Sequence, residues 1–197
     1  MRQVRILLWV LVAIAAGGFA YLLLRPLPES APKADTAVAG IGGPFTLVGS
    51  DGKPFPSSRL AGKPYAIFFG FTHCPDVCPT TLQRLVRLRD ELGRGEKAFN
   101  IVFVSVDPER DGPEEVGAYE TAFGGPVIGL TGSPAQIEQV KKKYGIFSQK
   151  VDDGSGHYMV NHTSTVLLFG RDGGFVATIA PDEQDPAALD KLKRLTA

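Results

Sequence analysis

Near its middle the chain reads Ala66-Ile-Phe-Phe-Gly-Phe-Thr-His-Cys-Pro-Asp-Val-Cys-Pro79. The apolar part ends at Phe71, and a turn then leads into a helix that the pattern predicts from Pro79. The only two cysteines of the chain, Cys74 and Cys78, lie in that predicted turn. A strand, a loop and a helix in this order place both sulfurs at the carboxyl end of a buried strand. Open α/β sheets bind their ligands at such ends, so we expect a functional site here.

The elements on either side of this stretch predict an α/β fold. Before it, two short apolar segments flank Asp51-Gly52, which predicts an N-terminal β-hairpin with a type I′ turn. Further strands are predicted over 65–71, 99–106, 127–130, 146–151, 163–169 and 175–179, and helices over 79–92, 114–123, 134–144 and 186–195. Parallel crossovers followed by an antiparallel hairpin and a helix describe a thioredoxin-like sheet.

The N-terminal segment predicts a membrane anchor. Residues 6–24 are uncharged and almost wholly apolar, which is long enough for a helix to cross the ~30 Å hydrocarbon layer. Arg2 and Arg5 precede this run and predict a cytoplasmic N-terminus, a single pass through the inner membrane, and a folded part in the periplasm. A cleaved signal peptide is the alternative, with a small-x-small pattern at Ala37-Val-Ala39. That pattern lies far beyond the apolar run, which is itself long for a signal peptide, so we favour the anchor.

Composition sets the domain boundaries and excludes one class of partner. The chain has 197 residues, of which 21 are basic and 21 acidic, so its formal net charge is zero. This balance gives no support for nucleic-acid binding by a basic face. We divide the chain into an N-terminus and transmembrane anchor (1–25), a linker rich in Pro, Ala and Gly (26–43), and one α/β domain (44–197).

The Cys-x-x-x-Cys spacing leaves three kinds of chemistry open. A structural disulfide is the least favoured, because loop closure stabilises less as the closed loop becomes shorter. A redox-active dithiol is the second, since a helix N-terminus lowers the pKa of a nearby thiol and the thiolate is the attacking species. A soft-metal site is the third, because two thiolates bind copper(I) well and also accept zinc. A metal site needs a third ligand from elsewhere in the chain.

Three histidines are candidates for that ligand: His73, His157 and His162. His73 adjoins Cys74 and is awkwardly attached for binding the same ion, so we expect it to be exposed or packed. His157 ends a loop rich in Gly, Ser and Asp, which predicts exposure. His162 precedes the strand predicted over 163–169, and the loop that enters this strand in a thioredoxin-like sheet faces the cysteine loop. That position favours His162 as a ligand.

Three motifs in order resemble the Sco/SenC family. They are Gly70-Phe-Thr-His-Cys-Pro-Asp-Val-Cys-Pro79, Ser105-Val-Asp-Pro-Glu-Arg-Asp111 and Tyr158-Met-Val-Asn-His-Thr163. Members of this family are membrane-anchored, thioredoxin-like proteins involved in building the binuclear copper centre of cytochrome c oxidase. The resemblance extends from about Pro44 to the C-terminus, and the predicted anchor also fits it.

The resemblance implies that Cys74, Cys78 and His162 ligate one copper ion. An S₂N set suits trigonal copper(I), and copper(II) can bind with an added ligand. The resemblance also implies a copper-binding domain over 44–197, cytochrome c oxidase subunit II as a partner, and a further partner in another copper chaperone. Asn161 departs from the family pattern, which has Asp before the histidine. This change concerns tuning of the site or docking of a partner, and not the three ligands.

Other residues within the motifs have roles that the sequence leaves open or only favours. Asp107 ends a predicted strand beside the cysteine-bearing strand, so its carboxylate either approaches the thiols and shifts their pKa or only shapes an Asp-Pro turn. We favour a structural role for Arg110 and Asp111, and an exposed loop position for Asp76. Met159 has a thioether that can assist copper transfer, but a core position on a strand is the favoured interpretation.

Two functions remain in competition. The first is a copper-binding assembly factor that passes copper to subunit II of the oxidase. The second is a membrane-anchored thiol-disulfide oxidoreductase that reduces the cysteines of that subunit, with Cys74 and Cys78 as its catalytic residues. Thioredoxins place a cis-proline before the strand that faces their cysteines, whereas Thr163-Ser-Thr165 has none, and this favours metal binding. A thiol peroxidase is disfavoured, because Ile67 and Phe71 stand where that site requires Pro and Thr or Ser.

Overall fold

The computed structural model of the protein describes residues 40–152, 154 and 158–197, together with Arg2, Gln3 and Trp9. Within that part of the chain, no helix is both long and apolar enough to cross a membrane. The anchor predicted over 6–24 lies outside the described residues, apart from Trp9. Most of the predicted linker and His157 also lie outside them.

The described residues form nine strands and four helices. The strands are β1 (Thr46–Gly49), β2 (Pro54–Pro56), β3 (Tyr65–Gly70), β4 (Asn100–Ser105), β5 (Ile128–Thr131), β6 (Ser148–Asp152), β7 (Tyr158–His162), β8 (Val166–Phe169) and β9 (Phe175–Ile179). The helices are α1 (Val77–Glu91), α2 (Pro113–Glu120), α3 (Pro134–Tyr144) and α4 (Asp185–Thr196). Short 3-10 segments cover Ser57–Leu60, Gly95–Lys97 and Thr121–Phe123.

Seven strands form one mixed sheet in the order β2-β1-β5-β4-β3-β8-β9. β3, β4 and β5 run parallel to one another, whereas β8 is antiparallel to β3 and β9 is antiparallel to β8. This arrangement is the predicted one, with parallel crossovers followed by an antiparallel hairpin and a helix. All six residues of β3 are buried, as expected of a central strand that is covered on both faces.

The carboxyl ends of β3 and β4 are level, and this places the site. Gly70 is the register partner of Ser105, so the loops that follow the two strands leave the sheet side by side. β8 pairs with β3 only along Tyr65–Ile67. The last residues of β3 therefore border the chain that enters β8, as expected from the sequence.

A separate two-stranded sheet, formed by β6 and β7, was predicted only in part. The sequence predicted strands over 146–151 and 163–169, but β7 occupies Tyr158–His162 and β8 begins only at Val166. His162 therefore ends a strand and does not lie in a loop. The β6–β7 hairpin is half-buried, since Val160 is buried while Met159 and Asn161 are exposed. The pattern of apolar residues that would predict the two strands of this hairpin from sequence is therefore weak.

The N-terminal hairpin is present, but its predicted turn type is wrong. Strands β1 and β2 are antiparallel, as predicted. A type I′ turn needs positive φ at both central residues. Gly52 has φ of 72°, whereas no described residue other than glycine has positive φ, so Asp51 does not. The amide of Gly49 instead donates to the carbonyl of Lys53, which closes a loop of three residues.

Candidate metal centre

The cysteines lie where β3 passes into α1. The helix begins at Val77, two residues before the predicted start, so Cys78 is in the first helical turn and Cys74 in the loop before it. Proline is tolerated throughout a first turn, because the amides there have no partner within the helix, and Pro79 therefore did not mark the helix start. Asp76 precedes the helix and is exposed, as predicted.

Cys78 is fully buried at 0% exposure, whereas Cys74 is only half-buried. Gly70 makes room for the buried sulfur, since a Cβ at that position would lie 2.8 Å from the Cys78 Sγ. Both cysteines are free thiols, and the Cys78 amide donates to the Cys74 Sγ at 3.4 Å. An isolated glycine at the end of a strand pattern is a signal for such a close approach, which the sequence reasoning did not use.

Burial raises the pKa of the Cys78 thiol well above its ordinary value, and the nearby Cys74 and Asp111 act in the same direction. The expectation that the helix N-terminus lowers the thiol pKa is therefore wrong for Cys78. Desolvation is the largest cause of this shift, because burial disfavours the charged thiolate. A metal cation that replaces the proton removes this penalty, because it compensates the buried negative charge.

His162 brings an imidazole to the same place from the end of β7. Its Nδ1 lies 3.0 Å from the Thr163 carbonyl oxygen, and its Nε2 lies 3.5 Å from the Cys78 Sγ. Burial lowers the pKa of His162, which favours the neutral ring. A neutral ring whose Nδ1–H donates to the carbonyl presents the lone pair of Nε2 to the sulfurs.

Ligand atoms of Cys74, Cys78 and His162 all lie within 4.8 Å of one another. The structure thus brings together the three residues that the sequence singled out. Two sulfurs and one imidazole form a soft donor set that fits copper(I), and zinc also accepts such ligands. His73, by contrast, is exposed and directed to Asp111, as its attachment beside Cys74 led us to expect.

Asp111 fixes the loop that carries Cys74. This carboxylate is fully buried and accepts hydrogen bonds from the Thr72 amide at 2.8 Å, the Thr72 hydroxyl at 2.6 Å and the Ser105 hydroxyl at 2.6 Å. The first of these ties the loop after β3 directly to the loop after β4. The contacts support the structural role favoured for Asp111.

Asp107 does not approach the thiols, contrary to one of its two predicted roles. Its carboxylate accepts hydrogen bonds from Arg110 Nε at 2.5 Å and from the Tyr158 hydroxyl at 2.9 Å. Of the two aspartates, Asp111 is the one whose charge acts on Cys78. The sequence reasoning gave Tyr158 no role, although a tyrosine in a polar hairpin is a ready partner for a buried carboxylate.

A cavity of about 380 Å³ opens onto the site between the cysteine loop and the β6–β7 hairpin. Cys74 and His162 line it, and its apolar wall includes Phe71, Val77 and Met159. Met159 is 36% exposed, so the predicted core position is wrong. A molecule in solvent therefore reaches the site at Cys74 and His162, and the Cys78 sulfur lies buried beneath them.

Comparison with known proteins gives a consistent result. The family model described as SCO1/SenC matches residues 33–197. Protein SCO1 homolog 1, mitochondrial, from Arabidopsis thaliana is 40% identical over 139 residues, which make up 70% of this chain and 42% of that protein. Bradyrhizobium japonicum ScoI, solved with copper bound, superposes with a TM-score of 0.71 at 41% identity, over 79% of this chain and 99% of that one.

A third relative, BsSco, superposes with a TM-score of 0.62 at 25% identity, over 81% of this chain and 95% of that one. It is described as a member of the Sco family of cytochrome c oxidase assembly proteins and as having a disulfide switch. This chain spans less than half the length of the Arabidopsis relative. Because the family model covers most of the sequence and that relative is 40% identical over 70% of it, the chain belongs to the SCO1/SenC family.

Proposed function

We propose that this protein binds one copper ion through Cys74, Cys78 and His162 and takes part in the assembly of cytochrome c oxidase. The single observation that carries the proposal is the meeting of three soft ligand atoms within 4.8 Å of one another. Relatives of the same fold have been solved with copper bound, which supports copper as the metal. Membership of the family and the description of BsSco support the role in oxidase assembly.

The copper is cargo, and the geometry suits its transfer to subunit II of the oxidase. Copper(I) held by three ligands can accept a fourth, so an incoming thiolate can add to the ion before one of the three leaves. Cys74 and His162 line the open cavity, while Cys78 is buried. We expect the two accessible ligands to be replaced first and Cys78 to release the ion last. Another copper chaperone would load the site by the reverse exchange.

The proposal places the domain on the outer side of a membrane. We propose that residues 1–25 anchor the chain in the inner membrane with the N-terminus in the cytoplasm. Residues 26–43 then serve as a linker, and the domain over 44–197 lies in the periplasm. A copper centre assembled on the periplasmic face of the membrane requires its donor on the same side.

A thiol-disulfide exchange role is the second candidate. The observation that favours it is that a half-buried Cys74 in the loop lies next to a fully buried Cys78 in the first helical turn. In such a pair the Cys74 thiolate attacks a disulfide of the partner and releases one partner thiol. Cys78 then gives up its proton and attacks the Cys74 sulfur of the mixed disulfide, which releases the second partner sulfur. The partner leaves as a dithiol, and the protein is left with a disulfide between its two cysteines.

Copper binding to the full chain tests the first proposal. The protein is purified in a mild detergent, reduced, and titrated with copper(I) under anaerobic conditions in competition with a chelator of known affinity. We expect one tightly bound copper per chain, its loss in Cys74→Ser and Cys78→Ser, and a weakened affinity in His162→Ala. Copper(II) should show thiolate-to-metal charge-transfer absorption in the parent protein.

His73→Ala is the matched control, since it removes an exposed histidine next to Cys74 whose ring contacts Asp111 and does not belong to the group of three ligands. It should bind copper like the parent chain. Loss of copper in His73→Ala equal to that in His162→Ala contradicts the assignment of the third ligand. If the parent chain binds no copper tightly but reduces a peptide disulfide rapidly, the copper proposal fails and the thiol-exchange role replaces it.

A further inference from the structure

The hairpin that carries His162 lies outside the seven-stranded sheet, and its Tyr158 end contacts the loop after β4 through side chains. Strands β6 and β7 pair only with each other and form a sheet separate from the seven-stranded one. Among the described residues, no ladder of main-chain hydrogen bonds joins β7 to the seven-stranded sheet. The third ligand atom needs another source of precision, because metal–ligand distances tolerate errors of only about 0.2 Å.

Three side chains supply contacts at the start of β7, and we refer to Asp107, Arg110 and Tyr158 as the hairpin clasp. The Tyr158 hydroxyl donates to Asp107 Oδ1 at 2.9 Å. Arg110 Nε donates to Asp107 Oδ2 at 2.5 Å, so both carboxylate oxygens have a partner. Arg110 also donates from Nη1 to the Tyr158 carbonyl oxygen at 3.0 Å, which fixes the main chain of β7 directly.

The aromatic ring of Tyr158 also contacts charged side chains. The guanidinium carbon of Arg110 lies 3.7 Å from the ring centroid, within the range of a cation–π contact. Lys150 of β6 lies 4.6 Å from the same centroid and forms an ion pair with Glu109. Both strands of the hairpin are thus fastened to the loop that follows β4.

The clasp cannot open without a substantial cost. Asp107 is fully buried, and a buried carboxylate that loses its partners is left with an uncompensated charge. Burial and the bond to Asp107 also raise the pKa of the Tyr158 hydroxyl, so it keeps its proton and stays a donor at neutral pH. The clasp therefore favours one position of β7 over all others.

Tyr158 and His162 lie on the same face of β7, since side chains alternate along a strand. Val160 lies between them on that face and is buried, whereas Met159 and Asn161 on the other face are exposed. Because the strand is short, we expect a displacement at Tyr158 to move the imidazole as well. We propose that Asp107, Arg110 and Tyr158 are positioning residues that hold His162 against the two cysteines, an inference that rests on the proposed copper site.

Two conservative variants of the full chain test the clasp. Tyr158→Phe removes the bond to Asp107 and keeps the ring, and Arg110→Lys removes the planar fork that joins Asp107 to the Tyr158 carbonyl. We expect copper(I) affinity to fall about 10-fold in the first and up to about 100-fold in the second, as for lost partners of metal ligands. The imidazole nitrogen coupling in the EPR spectrum of bound copper(II) should weaken, while the thiolate charge-transfer band remains.

Matched controls come from elsewhere in the fold. Arg84→Lys replaces an arginine whose contacts resemble those of Arg110, since Arg84 donates to Asp185 at 2.7 Å and to main-chain carbonyl oxygens. Tyr144→Phe removes another tyrosine hydroxyl, which donates to the Gly43 carbonyl oxygen at 3.1 Å. Neither touches the hairpin, so both should bind copper like the parent chain, whatever they do to stability.

The decisive comparison repeats Tyr158→Phe in a His162→Ala background. If the clasp acts through His162, the second substitution changes copper(I) affinity by less than about 2-fold, because the two effects are not additive. A 10-fold loss that persists without the histidine overturns the proposal and assigns Tyr158 a general structural role. Copper binding by Tyr158→Phe and Arg110→Lys equal to that of the parent chain overturns it as well.

Hydrogen exchange of the metal-free chain separates this inference from the proposed function. Amides of residues 158–163 should exchange faster in both clasp variants than in Arg84→Lys or Tyr144→Phe. Unchanged exchange in that segment counts against the clasp, even if copper binding is lost. If the parent chain binds no copper, the proposed function and the positioning role fail together. The exchange result then decides only whether the clasp holds the hairpin.

Discussion

The substitution Gly70→Ala should disrupt the metal site through a single methyl group. The added Cβ would lie 2.8 Å from the Cys78 Sγ, 3.0 Å from Phe68 and 3.1 Å from Phe103. Non-bonded heavy atoms prefer separations of at least about 3.5 Å, so the sulfur must move by roughly 0.7 Å or the strand must shift with it. This displacement is more than three times the tolerance of about 0.2 Å in metal–ligand distances. Overpacking of this kind also costs about 1–3 kcal/mol of unfolding free energy.

Copper(I) competition and urea denaturation of the same samples separate the two effects. Gly125→Ala is the control, because its Cβ would lie 2.9 Å from Val86 and 3.0 Å from Arg89, and neither sulfur is among its close contacts. We expect a similar loss of stability in both variants, and a loss of copper(I) affinity of about 10-fold or more in Gly70→Ala alone. Gly70→Ala with the copper affinity of the parent chain would refute the reasoning, since the sulfur would then have room that the structure does not give it.

Two further predictions concern stability. Asp111→Asn removes one of the two buried carboxylate oxygens that accept hydrogen bonds from the cysteine loop. It should lower the unfolding free energy in urea by about 1–3 kcal/mol. The exposed control Asp76→Asn should change that free energy by less than about 0.5 kcal/mol. Hydrogen bonds from Arg87 and Arg84 lower the pKa of Asp185, so its contribution to stability is present above its ordinary pKa of 3.8 and is lost as the pH falls through the lowered value. Asp185→Asn should therefore destabilise the chain at about pH 7 and have a smaller effect at about pH 2, which urea midpoints at the two pH values will show; an equal effect at both contradicts the assignment.

Elements whose signals are local in sequence could be predicted. The continuous apolar run of β3 needs no partner to be recognised, and the loop and helix after it follow from the turn residues. The start of α3 is equally local. Ser133 accepts a hydrogen bond from the Gln136 amide, and Gln136 accepts one from the Ser133 amide, so residues three apart in sequence form a capping box. The three candidate ligands were also found from sequence, because cysteine and histidine can be recognised as metal ligands by residue type alone.

Features that depend on distant partners could not be predicted in the same way. β7 has one buried and two exposed residues at its centre, so only its pairing with β6 makes it a strand. The pKa of Cys78 depends on how deeply α1 packs, which no local pattern reports. From sequence alone, Asp107 and Asp111 cannot be distinguished. Only the folded structure shows that Asp107 accepts a hydrogen bond from the hairpin and Asp111 accepts one from the cysteine loop.

This last assignment explains how the parts of the site remain in register. The cysteine loop follows a strand of the main sheet, whereas the β6–β7 hairpin forms a separate sheet far away in sequence. Each is hydrogen-bonded to the five residues that follow Val106. Asp111 accepts from Thr72 in the cysteine loop, and Asp107 accepts from Tyr158 in the hairpin. The two aspartates are themselves joined, because the Asp111 amide donates to the Asp107 carbonyl at 3.0 Å. Residues 107–111 thus act as a bridge between the thiols and the imidazole, and a change in that bridge should alter the distance between them even though it removes no ligand.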